Sequence, residues 1–235
     1  MDDSITLIRN RIMAVATRRF AERKYTPVNM SDIYRDLKVD RSVVKQHFST
    51  KEDLLAAILD SFLQDIEDIL LTFIDGFLLS AVNSGTLEIR DDRIHCENPQ
   101  SAAVFSRQVV NHLEAVFDYL FVHSNKFILL IQESFVPGAH TGDLDRLLRL
   151  FLPIAENPLL VRNKAVSKIH LTPEAQAGFM QTSVIPILGY TLVKEHLDPI
   201  ASQCVETYKN HALDDIRANL ARHTKGSDII FMNKQ

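Results

Sequence analysis

Between Asp40 and Lys51 the chain offers a compact set of hydrogen-bonding and cationic side chains: Arg41, Ser42, Lys45, Gln46, His47 and Lys51. Arginine pairs with two acceptors on guanine and the amide of glutamine with adenine, so Arg41 and Gln46 have the chemistry to read bases from the major groove. Lysine and histidine supply charge for phosphate oxygens. Asn29 and Ser31, at the start of the preceding segment, have the hydrogen-bonding capacity to clamp a nucleic-acid backbone.

Other chemistries lack their residues. The sequence has no GxGxxG, GxxxxGK[ST], GxSxG or HExxH arrangement, which argues against nucleotide, hydrolase and zinc-protease sites. Cys96 and Cys204 belong to no CxxC or Cys/His spacing and read as reduced thiols that pack. His112 and His123 are eleven apart, and His211 and His223 twelve apart; neither is the i, i+4 pair that puts two metal ligands on one helix face. The expectation is no enzyme, no cofactor and no metal.

The net charge of the 235 residues is −4, unhelpful for binding a polyanion, but its distribution is uneven. Residues 1–52 hold eleven Lys and Arg against seven Asp and Glu, a balance of +4, so the remainder carries −8. A basic head on an acidic body points any polyanion to the head. With 46% hydrophobic and 24% charged residues and only 7 Gly and 8 Pro, the composition suits long helices in a globular chain. No apolar run approaches the roughly 20 residues of a membrane span, and the start is acidic where a signal peptide needs base. The expected location is cytoplasmic, with no membrane partner.

These side chains must be held by helices. Ile5, Ile8, Ile12, Ala16 and Phe20 form one helical stripe, giving a helix over about 4–22 that ends before Pro27. Asn29 caps a short helix over 30–37, with Asp32 in capping-box register. After the turn Lys38-Val39-Asp40 a third helix runs over 41–48, with Val43, Val44 and Phe48 inward. Two short helices joined by three residues make a helix-turn-helix. Thr50 caps a fourth helix reaching about residue 82. Residues 87–96 alternate around Asp91-Asp92 as either a small hairpin or a structured loop. Helices follow over 101–122, 125–136 and 143–151, while 157–170 has no clear pattern. Two more helices span 173–196, with a kink expected at Pro186, and 199 to His223. The tail from Ser227 is expected to fray. The fold class expected is all-α: a helix-turn-helix domain over 1–52, then a larger helical domain over 53–235.

The run Ala21-Glu22-Arg23-Lys24-Tyr25, then Met30-Ser31-Asp32-Ile33, Val39-Asp40-Arg41-Ser42-Val43-Val44 and His47-Phe48-Ser49-Thr50-Lys51-Glu52-Asp53-Leu54-Leu55 resembles the N-terminal domain of the tetracycline-repressor (TetR) family, over about residues 5–56. Lys24 and Lys38 stand where glycine is common in that family, Lys45-Gln46 replaces its aromatic pair, and Ser49 stands where Pro is frequent. Lys38 is harmless if its position avoids a left-handed backbone. The resemblance implies a sequence-specific transcriptional regulator of double-stranded DNA, more often a repressor, with phosphate contacts at His47 and Lys51 and a phosphate or base contact at Lys45. It also implies a homodimer through the last two helices, where Ile200, Val205, Tyr208, Ala212, Ile216 and Leu220 offer a stripe. A cavity for a small apolar or aromatic effector is expected among Phe73, Phe77, His112, Phe117, Tyr119, Phe121, Gln132, Phe135 and Met180. Two other classes compete: a helical protein-interaction adaptor with a degenerate helix-turn-helix, and an enzyme with a concealed site.

Overall fold

The structure is a computed structural model that describes residues 2–90, 93–152, 157–162, 172–192 and 204–230. The chain divides into two compact units, one of residues 1–65 and 123–145, the other of 66–122 and 146–235. The first therefore extends past residue 52 and takes in a later segment. It is mostly helical, and no helix among the described residues is long and apolar enough to cross a membrane.

In the first unit α1 (Asp2–Arg23) buries Ile12, Met13, Ala16 and Phe20 along one face, against α2 (Met30–Leu37), α3 (Arg41–His47) and α7 (Ser124–Ser134). The stripe is shorter than its periodicity suggests. Ile5 and Ile8 are exposed, because the buried face of α1 begins only at Ile12. The backbone amide of Asn29 donates to Asp32 Oδ2 at 3.2 Å, the capping geometry anticipated from the sequence. Asp40 caps α3 by accepting from the Ser42 amide at 2.7 Å. Thr50 and Asp53 exchange bonds of 3.1 and 3.0 Å at the start of α4 (Lys51–Phe73).

The two lysines in glycine positions do adopt left-handed backbone. Lys24 ends α1 with φ 64°, and Lys38 ends α2 with φ 54° and ψ 41°. The condition under which Lys38 would be harmless is not met: the turn into α3 needs a left-handed residue whatever its side chain. An L-residue there costs about 1–2 kcal/mol, and glycine repays part of its advantage in entropy. Lys38→Gly is expected to stabilise the first unit by about 0.5–1 kcal/mol. A thermal melt of the variant checks this, and a lowered midpoint would contradict the strain.

In the second unit the helical path expected up to residue 82 does reach Asn83, but one turn is widened. Ile74–Leu78 forms a π-turn in which the Leu79 amide reaches the Ile74 carbonyl, and α5 (Leu79–Asn83) follows. The hairpin alternative for 87–96 is the one that forms. β1 (Leu87–Arg90) pairs antiparallel with β2 (Arg93–Cys96), Leu87 facing Cys96 and Ile89 facing Ile94. The C-terminal segment adds a second hairpin, β3 (Thr224–Lys225) and β4 (Asp228–Ile230), giving the sheet order β1-β2-β4-β3. Gly226 makes its two-residue turn possible with φ 65°. Fraying from Ser227 is therefore wrong as far as Ile230: Ile229 is fully buried, and Asp228 Oδ1 bonds His95 Nδ1 at 2.6 Å. Three closely spaced Ile and Asp residues after a glycine were too few to announce a strand.

The long helix α6 (Pro99–Val122) packs against α11 (Cys204–His223), and Lys209 of α11 reaches Asp118 at 2.6 Å and Glu114 at 3.1 Å. The chain also forms α8 (Asp143–Phe151), the short α9 (Pro158–Val161) and α10 (Pro173–Phe179). Beyond α10 a second π-turn, Met180–Val184, precedes helix over 185–192. Pro186 lacks the amide a regular turn would use, which accounts for irregularity just before it. The expected start of the last helix at Asp198-Pro199 lies outside the described residues.

Candidate nucleic-acid interface and apolar cavity

α3 presents Arg41 and Lys45 one turn apart, and beside them Ser42 and Gln46 in the same relation; all four are exposed. On its other side Val44 is fully buried and Phe48 nearly so, anchoring the helix to the core of the unit. Val43, expected in the core, is half-buried. The Ser42 hydroxyl donates to Asp40 Oδ1 at 2.7 Å, so it is oriented by the cap. Asp40 is held well below the usual carboxylate range by these two bonds from Ser42 and stays an acceptor at neutral pH. Asn29 and Ser31 are exposed at the start of α2, and His47 is half-buried.

What fixes the pose of α2 and α3 was not apparent from motif reading. Arg19 on α1 forks onto Asp36 on α2, its Nη2 at 2.7 Å from Oδ1, and its Nε on Oδ2. The Arg9 guanidinium sits 4.5 Å from the centre of the Phe48 ring, a cation–π contact tying α1 to the end of α3. Tyr25 stacks edge-on to Phe20 at 5.1 Å and donates its hydroxyl to Glu52 at 3.0 Å. Burial first, and then that bond, push the Tyr25 phenol up.

Lys51 needs a correction. Its ammonium donates to the carbonyls of Tyr25, Thr26 and Val28 at 3.2, 3.2 and 3.1 Å and lies 4.1 Å from the centre of the Tyr25 ring. An ammonium has three donors, and all three are taken. In this structure Lys51 clamps the α1–α2 loop, its ammonium engaged by backbone carbonyls. The motif singled out the position but said nothing of where the long side chain folds.

The second unit holds a half-open apolar cavity of about 170 Å³. Of the residues expected to wall it, Phe73 and His112 do so, with their rings stacked at 5.0 Å. Phe77 instead lines a neighbouring groove and packs on Phe105 at 6.2 Å. Phe117 is core, against Phe121 and Tyr190. Tyr119, Phe121 and Met180 do not reach the cavity. Gln132 and Phe135 belong to the first unit, and Phe135, just past α7, is 75% exposed. Phe105, Phe151 and Phe179 complete the aromatic lining, with Asn157 among the apolar side chains. Aromatic residues recur at helical spacing throughout this chain, so spacing alone could not separate wall from core.

The stripe assigned to a dimer contact is also corrected. Ala212, Ile216 and Leu220 are buried within the chain itself, Ile216 completely, where α11 meets α6. Ile200 lies outside the described residues, and the side chains of Val205 and Tyr208 are not described. An amphipathic terminal helix here spends its apolar face on its own core.

Comparison with known proteins places this geometry. Residues 12–58 match the family model described as bacterial regulatory proteins, tetR family. No curated protein matches the chain. Among solved structures it is similar to a TetR-family regulator from Streptomyces coelicolor A3, at 19% identity over 91% of this chain and 94% of that one, with a TM-score of 0.37. The matched segment runs from the first buried turn of α1, through the helix-turn-helix, into α4. The chain is thus a DNA-binding transcriptional regulator whose head is that of the tetR family of bacterial regulatory proteins.

Proposed function

We propose that the chain is a dimeric repressor that reads its operator through α3 and releases it when a small apolar or aromatic effector fills the cavity of the second unit. The observation that carries the first half is the exposed double row Arg41/Lys45 and Ser42/Gln46 on a helix anchored by Val44 and Phe48. Arg41 and Gln46 read bases, while Lys45 and His47 meet phosphates, with Asn29 and Ser31 against the backbone. For the second half the support is α4, one helix that starts at Lys51 in the head and ends at Phe73 in the cavity wall. For the dimer, the support is that Val104, Val122, Val161 and Ile185 are among the exposed apolar side chains of the second unit and are available to a partner.

Selection of bound duplexes from random DNA tests this, with the wild type and Arg41→Ala side by side. The wild type is expected to enrich an inverted repeat with half-sites about one helical turn or more apart. Arg41→Ala is expected to lose preference at one base pair per half-site, about 1–3 kcal/mol of discrimination. A single unrepeated half-site would reject the dimer, an unchanged preference would reject Arg41 as a reader, and no enrichment at all would favour a protein-interaction adaptor.

A further inference from the structure

The cavity in the second unit carries an inference about what it holds, resting on the effector-binding function proposed above. At about 170 Å³ it compares with the roughly 150 Å³ apolar cavity that stays dry and accepts benzene. That volume suits one ring with a short substituent and is too small to hold a long alkyl chain whole. No charged side chain is among its described lining residues. An ionised ligand would therefore be desolvated without a partner.

Two lining residues are polar, and their states differ. Asn157 is spent: its side-chain amide donates to the carbonyls of Leu150 and Leu152 at 3.1 and 2.7 Å, and its oxygen accepts from the Leu159 amide at 2.9 Å. His112 Nε2 is buried without a hydrogen-bond partner among the described residues. A buried ring nitrogen left so is costly and calls for an occupant that pairs with it. Burial keeps the imidazole neutral, its pKa lowered from 6.5 to about 4, so Nε2 is available either to accept from a hydroxyl or to donate to a carbonyl. The stacked Phe73 ring beside it gives an aromatic ligand a face to lie against.

We infer that this cavity takes an uncharged, single-ring aromatic compound bearing one hydroxyl or carbonyl group, which hydrogen-bonds to His112 Nε2. Two π-turns begin immediately after cavity-lining rings, at Ile74 after Phe73 and at Met180 after Phe179, as such turns often do at ligand sites.

The test is calorimetric titration of the full chain with 4-ethylphenol, acetophenone, ethylbenzene, phenylacetate and 1-dodecanol. The first two are expected to bind about threefold to tenfold more tightly than ethylbenzene, the worth of one net hydrogen bond. Phenylacetate and dodecanol are expected not to bind. His112→Leu is expected to erase the advantage of 4-ethylphenol over ethylbenzene while ethylbenzene still binds. Phenylacetate binding as tightly as acetophenone, discrimination that survives in His112→Leu, or no binding of either polar aromatic would each overturn the inference. The comparison of neutral with charged probes needs only the wild type, so it stands even if the variant does not fold. Operator binding is measured separately: a ligand that binds without releasing DNA would refute effector release and leave the cavity assignment intact.

Discussion

Lys51→Met is expected to weaken operator binding sharply by loosening the head, with the loss appearing first as a fall in stability. The substitution keeps most of the aliphatic stem and removes the ammonium that holds the carbonyls of Tyr25, Thr26 and Val28. Hydrogen bonds from a charged donor are worth more than neutral ones, and three are lost together. Discounting for partial exposure, the cost is about 2–3 kcal/mol, with a further contribution from the lost contact over the Tyr25 ring. The start of the loop between α1 and α2 is then fastened to α4 by the bond of Tyr25 to Glu52. Two measurements separate this clamp from a phosphate contact. Hydrogen exchange should show faster opening around Val28 to Met30. In fluorescence-anisotropy titrations across salt concentrations, the residual binding should keep the wild-type slope, because no phosphate contact has been removed. A direct phosphate ligand would instead reduce the slope by about one while leaving the fold's stability unchanged. That second pattern would restore Lys51 to the DNA interface.

Local rules carried the head. The caps at Asn29, Asp40 and Thr50 involve neighbours two or three residues away, so sequence spacing states them almost completely. The exposed residues on α3 followed from the same periodicity, since Val44 and Phe48 must point inward and Arg41 and Lys45 then cannot. What sequence did not disclose is long-range. The fork of Arg19 on Asp36 and the bond of Tyr25 to Glu52 join residues 17 and 27 positions apart, with nothing periodic to mark them. The second unit shows the same divide. Its helices are periodic enough to locate, yet which apolar face meets α6, a cavity or another chain depends on tertiary placement. Ile216 looked available for a partner and is enclosed, whereas Ile185 drew no notice and is exposed.

His112 makes the second unit acid-sensitive well above the carboxylate range. Its imidazole is stacked on Phe73 at the edge of an apolar cavity, and desolvation alone lowers its pKa from 6.5 to about 4. The unfolded chain therefore takes up a proton as pH falls through 6.5, while the folded chain declines it until near 4. Stability is complete above that window and falls steadily through it. Between pH 7.5 and pH 5 the loss from this one residue is roughly 2 kcal/mol, and by pH 4 roughly 3 kcal/mol. His123 in the first unit, also lowered by burial and by the nearby Lys126, adds a slope of the same sign. His112→Phe keeps an aromatic ring against Phe73 and removes the titrating group. Urea midpoints at pH 7.5 and pH 5 should show the wild type losing about 2 kcal/mol more than the variant. Parallel losses would mean that His112 is solvated or charged in the folded chain.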